Sequence, residues 1–168
     1  MSDVRIQTIM DILNKECNYY KDLLEISKAK KRVIVEGKVA ELDKLVRLEQ
    51  NMIFDIGQLE KEREKTFVSI CIEMGLKKDA GLSDLAKKLD SEDKDRLEAV
   101  QGSLMKILEE LKKTNILNNE LIRQSLEYID YSMNIITSAG MATASLYEDM
   151  DIKAKKAIEK KRIFDTKI

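Results

Sequence analysis

Residues 3–36, DVRIQTIMDILNKECNYYKDLLEISKAKKRVIVE, set Ile6, Met10, Leu13, Cys17, Tyr20, Leu24, Ser27 and Ile34 on one stripe. The steps alternate between four and three and are interrupted only at Lys31. Apolar residues repeating in that way lie along one face of an α-helix, and a repeat sustained over about four heptads makes a seam for lengthwise packing. At about 1.5 Å per residue such a helix reaches roughly 50 Å. Gly37 follows directly and suits a C-terminal cap in the left-handed conformation, so the chain should turn back there.

A second helix is expected over 39–74, with Leu42, Leu45, Met52, Ile56, Leu59 and Ile70 on its stripe and Gly75 closing it. Glu49, Arg63 and Thr66 fall on the same stripe. Drift of the stripe onto Val46, Ile53 and Phe67 is the simpler account; a charged pin fixing the register of two helices is the alternative. Residues 82–89 fit a short connector helix with Ser83 as N-cap. Asp90-Ser91-Glu92-Asp93 then supply a cap and first-turn acids for a third long helix over 92–137. Its stripe includes Leu97, Val100, Leu104, Leu108, Leu111, Ile122, Ile129 and Ile136, notched by Asn115, Asn118, Ser125 and Ser132. The expected fold is therefore all-α: an elongated antiparallel bundle or coiled coil of three long helices plus a short connector. Residues 1–137 form the helical body, and 138–168 form a flexible tail that binds a partner.

Composition agrees. The 168 residues are 43% apolar and 36% charged, with no Pro, no Trp and six Gly, so aliphatic side chains must build the core and strand punctuation is scarce. Thirty basic against 31 acidic residues give no global attraction for nucleic acid or an anionic membrane. Met1-Ser2-Asp3-Val4-Arg5 lacks the parts of a signal peptide. The longest uncharged run, Tyr131 to Tyr147, is too rich in Ser, Thr and Asn for a membrane span. Cys17 and Cys71 fall on apolar faces, as free thiols of a reducing cytoplasm do.

The absence of histidine eliminates Ser-His-Asp and Cys-His catalysis and imidazole-bound metals. No phosphate-binding or dinucleotide motif occurs. Asp90, Glu92, Asp93 and Asp95 lack the glycine and distal glutamate of a calcium loop. No enzyme and no cofactor are expected.

Two segments are candidates for binding. In 115–129, NILNNELIRQSLEYI, Asn115 and Asn118 sit three apart on a packed face and Ile122 continues it. Buried amides either fix helix register or bond the backbone of a captured peptide or helix. The second candidate is the tail, where Tyr147, Ile152, Ile158, Ile163 and Phe164 are spaced through a lysine-rich background. It can be a solvated end, a helix folding onto a partner, or a phosphate- or membrane-binding segment. Interleaved Glu148, Asp149, Asp151, Glu159 and Asp165 weaken the last.

Several fragments taken together resemble the FlgN-type export chaperones of the bacterial flagellum. They are Tyr20-Lys21-Asp22-Leu23-Leu24 with the lysine run to Ile34-Val35-Glu36-Gly37, Leu45-Val46-Arg47-Leu48-Glu49-Gln50, Leu59-Glu60-Lys61-Glu62-Arg63, and the asparagine segment. The resemblance implies a cytoplasmic type III export chaperone that masks the C-terminal helices of hook-associated proteins at the hook–filament junction. It would deliver them to the export gate and the export ATPase complex, with Tyr147 by position the gate-contacting tyrosine. Neither nucleic acid nor stable membrane insertion is implied. An exposed stripe can also pair with itself when no client is bound, giving a homodimer. The competing expectation is a structural coiled-coil oligomer with no transient client.

Overall fold

A computed structural model of the chain describes residues 4–77 and 79–165, with side chains described as far as 156. Four helices follow one another: α1 (Val4–Val35), α2 (Val39–Glu73), α3 (Leu82–Ala86) and α4 (Ser91–Asp165). Among the described residues there is no strand, and the all-α expectation stands. By its contacts the chain divides into two units, Met1–Ile122 and Arg123–Ile168.

The glycines end α1 and α2 as their positions suggest. Gly37 has φ 67°, with its N–H bonded to Ile34 O and the Lys38 N–H reaching back to Val33 O at 2.9 Å. Gly75 has φ 63°, and the Leu76 N–H reaches Cys71 O at 2.9 Å. Both are Schellman closures, in which a residue without Cβ enters the left-handed region at no steric cost. The start of α3 differs from expectation. Gly81, not Ser83, is the N-cap, and its N–H donates to the Asp84 carboxylate at 3.1 Å. Asp90 caps α4 by accepting the Asp93 N–H at 2.9 Å.

In the first unit α1 is the central element. Thirteen of its residues are buried against three in α2, which means that α1 is covered on two sides. Its first stripe is the one read from the sequence. A second, made of Ile9, Ile12, Glu16, Leu23, Ile26 and Val33, is buried as well. Sequence neighbours α1 and α2 run antiparallel, as the pairs Glu16–Arg63 and Lys30–Glu49 require. Helix α4 runs parallel to α1, with Arg96 beside Gln7 and Asn115 and Asn118 beside Ser27. One core cluster joins Ile6, Ile9, Met10 and Leu13 to Ile70, Leu85, Ala86 and Leu97, so α3 plugs that end of the bundle. A second joins Leu23 and Leu24 to Ile56 and Leu111.

Glu49 and Arg63 on the α2 stripe act as register pins, and the stripe also drifts in part, with Val46 and Phe67 half-buried and Phe67 packed on the first core cluster. Ile53 remains 54% exposed. Glu49 instead takes Lys30 Nζ at 2.6 Å with both side chains mostly buried, and Arg63 Nε donates to Glu16 at 3.0 Å. Burial pushes the Glu16 carboxyl above its ordinary range, against the lowering effect of the Arg63 bond. Tyr20 donates its hydroxyl to Glu60 at 2.9 Å; its own burial, then that carboxylate, push the phenol up to about 12. A slip of one heptad along α1 would strand each of these charges opposite an apolar partner.

The third long helix does not end at 137. It continues through Ala139 and Gly140 to Asp165. Small residues bury little, yet none of them breaks the backbone ladder as proline would.

Candidate functional site

The second unit is a helix whose described side chains are all exposed except the half-buried Ser132. From Leu126 the steps of three and four are unbroken: Leu126, Ile129, Met133, Ile136, Gly140, Thr143, Tyr147 and Met150. Six of these are large and apolar, with exposures from 54% at Ile129 to 74% at Tyr147. A two-turn apolar stripe facing water is ordinary on a protein surface. One lasting seven turns is uncommon there.

Charge is confined to the ends of this stripe. Arg123 pairs with Glu127 near its start, and Lys155 lies 3.5 Å from Asp151 past its end. Between Tyr131 and Tyr147 no residue is ionisable at neutral pH. The polar groups in that span are largely hydroxyls turned back on their own helix. Ser132 bonds Tyr128 O, Thr137 bonds Met133 O, Ser138 bonds Asn134 O, and Thr143 bonds Ala139 O. Hydroxyls satisfied in this way can be covered by an apolar partner without losing a bond.

The residues singled out from sequence divide between the two units. Asn115 and Asn118 come together on Ser27: its hydroxyl donates to Asn115 Oδ1 at 2.6 Å, and Asn118 Nδ2 donates to Ser27 O at 2.8 Å. Asn118 is 2% exposed. Through Ser27 these amides pin the register of α1 against α4, although the buried Asn118 Oδ1 has no hydrogen-bond partner among the described residues. Ile122 closes the first unit, 37% exposed. Tyr147 and Ile152 are open to solvent in the second. Five residues apart, they point to different sides of the helix, and Tyr147 shares its side with Met150 and Ala154. The side chains of Ile158, Ile163 and Phe164 lie outside the described residues. Leu126, Met133 and Met150 are exposed on the same stripe as Tyr147, although none of them stands out in the sequence as a candidate. Their signal was the spacing, hidden because Ile122, Ile129 and Ile136 had been joined through Ser125 and Ser132.

No group of three or more potential metal-ligating residues occurs among the described residues. No described helix is long and apolar enough to cross a membrane.

The family model described as "FlgN protein" matches residues 1–150, and so spans the body and the whole of the stripe. An uncharacterised protein of Bacillus subtilis (strain 168), YvyG, is 30% identical over 130 residues, which cover 77% of this chain and 79% of that protein. No solved structure matches.

Proposed function

The chain belongs to the FlgN family, a family of flagellar export chaperones and not of enzymes, and from that premise we propose that it masks the C-terminal helices of hook-associated proteins. It holds them in the cytoplasm and hands them to the export gate and its ATPase complex. The client docks on the second unit. The observation that carries the reading is the uncharged apolar stripe from Leu126 to Met150, an unpartnered helical face matched to an amphipathic helix. Ile152, Ile158, Ile163 and Phe164 extend the client contact toward the C-terminus, and Tyr147 is the candidate contact with the gate. Asn115 and Asn118 serve indirectly by fixing the register of the body.

Masking needs no bond making and no cofactor. It needs apolar area that can be covered and released. Burying Ile158, Ile163 and Phe164 would contribute roughly 1.5–3 kcal/mol each, against the cost of ordering both partners. Replacing all three by Ser in the full chain should abolish binding of C-terminal peptides from hook-associated proteins, measured by titration calorimetry, while far-UV circular dichroism stays unchanged. An unchanged dissociation constant would remove these three residues from the site. If Ile129→Ser and Ile136→Ser also had no effect, client capture by this unit would be refuted. Salt separates this reading from a phosphate- or membrane-binding tail, because apolar capture tolerates salt and phosphate binding falls steeply with it.

A further inference from the structure

Gly140, like Gly57 and Gly102 within their helices, is not required to be glycine by its backbone or its neighbours. Its φ is not positive, and a Cβ built there would meet nothing within 4 Å. Glycine inside a helix is nevertheless about 1 kcal/mol less favourable than alanine. Thr143, the next residue on the stripe, is likewise small. The stripe is thus large in its first half (Leu126, Ile129, Met133, Ile136), small at Gly140 and Thr143, and large again at Tyr147 and Met150.

One antiparallel register is self-complementary across all eight residues of the stripe. We propose that the stripe is covered, when no client is present, by the same stripe of a second copy of this chain running antiparallel. Leu126 of one copy layers with Met150 of the other, Ile129 with Tyr147, Met133 with Thr143, and Ile136 with Gly140. Each small residue then faces a large one, and each layer occurs twice about the two-fold axis. A parallel in-register pair would instead stack Gly140 on Gly140 and Tyr147 on Tyr147, leaving a void in one layer and crowding another.

Charge and area favour the same occupant. The centre of the pair falls in the uncharged span 131–147, so no ion is desolvated. At the flanks Arg123 of one copy comes beside Asp151 of the other, opposite charges in equivalent positions of the repeat. Six apolar side chains at roughly 100 Å² each remove about 600 Å² per copy, and the helix flanks bring this near the roughly 800 Å² per partner of a stable interface. The inference does not depend on the export reading, since it concerns the chain alone.

The test is sedimentation velocity of the full chain across a dilution series. The expected result is a species of twice the chain mass that dissociates on dilution. Ile136→Asp should weaken it by roughly 100-fold or more, with helicity retained because the residue is exposed. Orientation is read from charge exchange. Met133→Asp alone weakens the dimer, whereas Met133→Asp combined with Thr143→Lys restores it, because the antiparallel layers oppose Asp to Lys. In a parallel pair the same double variant opposes like charges. A double variant as weak as the single one overturns the antiparallel arrangement. A dimer indifferent to Ile136→Asp overturns the surface. A chain monomeric to its solubility limit, which changes mass only when a hook-associated peptide is added, overturns the second copy as occupant and leaves the client in its place.

Discussion

Leu97 and Ile136 stand on the same stripe pattern of the same helix, yet Leu97 is 1% exposed and Ile136 is 66% exposed. The local sequence rules are identical in the two places, so helix propensity and periodicity cannot account for the difference. The partners do. In the first unit α4 is answered layer by layer by α1, which stops at Val35 and offers no further layers. An apolar stripe therefore states that something will be covered, not what covers it. The first unit supplies the cover from its own chain and becomes a scaffold. In the second the stripe faces solvent.

Truncating one residue in each unit separates the two most directly. Leu97→Ala should cost about 3–4 kcal/mol of unfolding free energy, since the core around Ile9, Leu13 and Leu85 cannot collapse into the space. Ile136→Ser should stay within about 0.5 kcal/mol in the monomer while weakening partner binding. Equal costs in urea titrations would show that Ile136 is covered within its own chain.

The next largest effect belongs to the buried charge in the body. Removing Arg63 as Arg63→Ala leaves the Glu16 carboxylate, 1% exposed, without its guanidinium, at a cost of about 3 kcal/mol near neutral pH. Because the folded-state pKa of Glu16 is already raised, proton binding favours the folded chain. The deficit should be largest above the ordinary carboxylate range and shrink as pH falls toward 4.5. Replacing the pair together, as Glu16→Met with Arg63→Leu, should recover most of the loss. A double variant as unstable as Arg63→Ala would mean that the pair contributes more than register.

The smallest effect is on Tyr20. Its pKa near 12 lies above the ordinary value of 10.0, so its stabilising contribution is full below pH 10 and is lost as pH rises toward 12. In an alkaline absorbance titration one of the five tyrosines should ionise late, and Tyr20→Phe should delete that step at about 1 kcal/mol or less of stability.

Much of the scaffold was legible in the sequence because its determinants are local. Steps of three and four placed the long helices. Gly37 and Gly75 announced their own left-handed caps, and Asp90 to Asp93 the start of α4. What was illegible depended on distance through space. Glu49 and Arg63 look like faults in a stripe until Lys30 and Glu16 are set opposite them. Asn118 looks equally suited to a peptide and to a helix until Ser27 is seen beneath it. The continuation of α4 past Ala139 is not legible for a different reason: small residues there bury little apolar area, and the backbone ladder needs only residues that do not forbid it. The exposed residues Leu126, Met133 and Met150 are visible as a pattern, but serine at 125 and 132 offers an equally spaced alternative.

Cys17 and Cys71, both free, are 6% and 7% exposed on the body's inner faces, and burial holds the Cys71 thiol above its ordinary range. Both sulfurs are buried, so a reagent reaches them only when the helices part. One lies in α1 and the other in α2, and neither shares a stripe with the outward face of α4. The chain thus carries two internal clocks: the rate at which a thiol reagent modifies each measures how often that part of the bundle opens. Timing them with and without a client would tell whether loading the outer helix is felt at the centre of the bundle or stops at its edge.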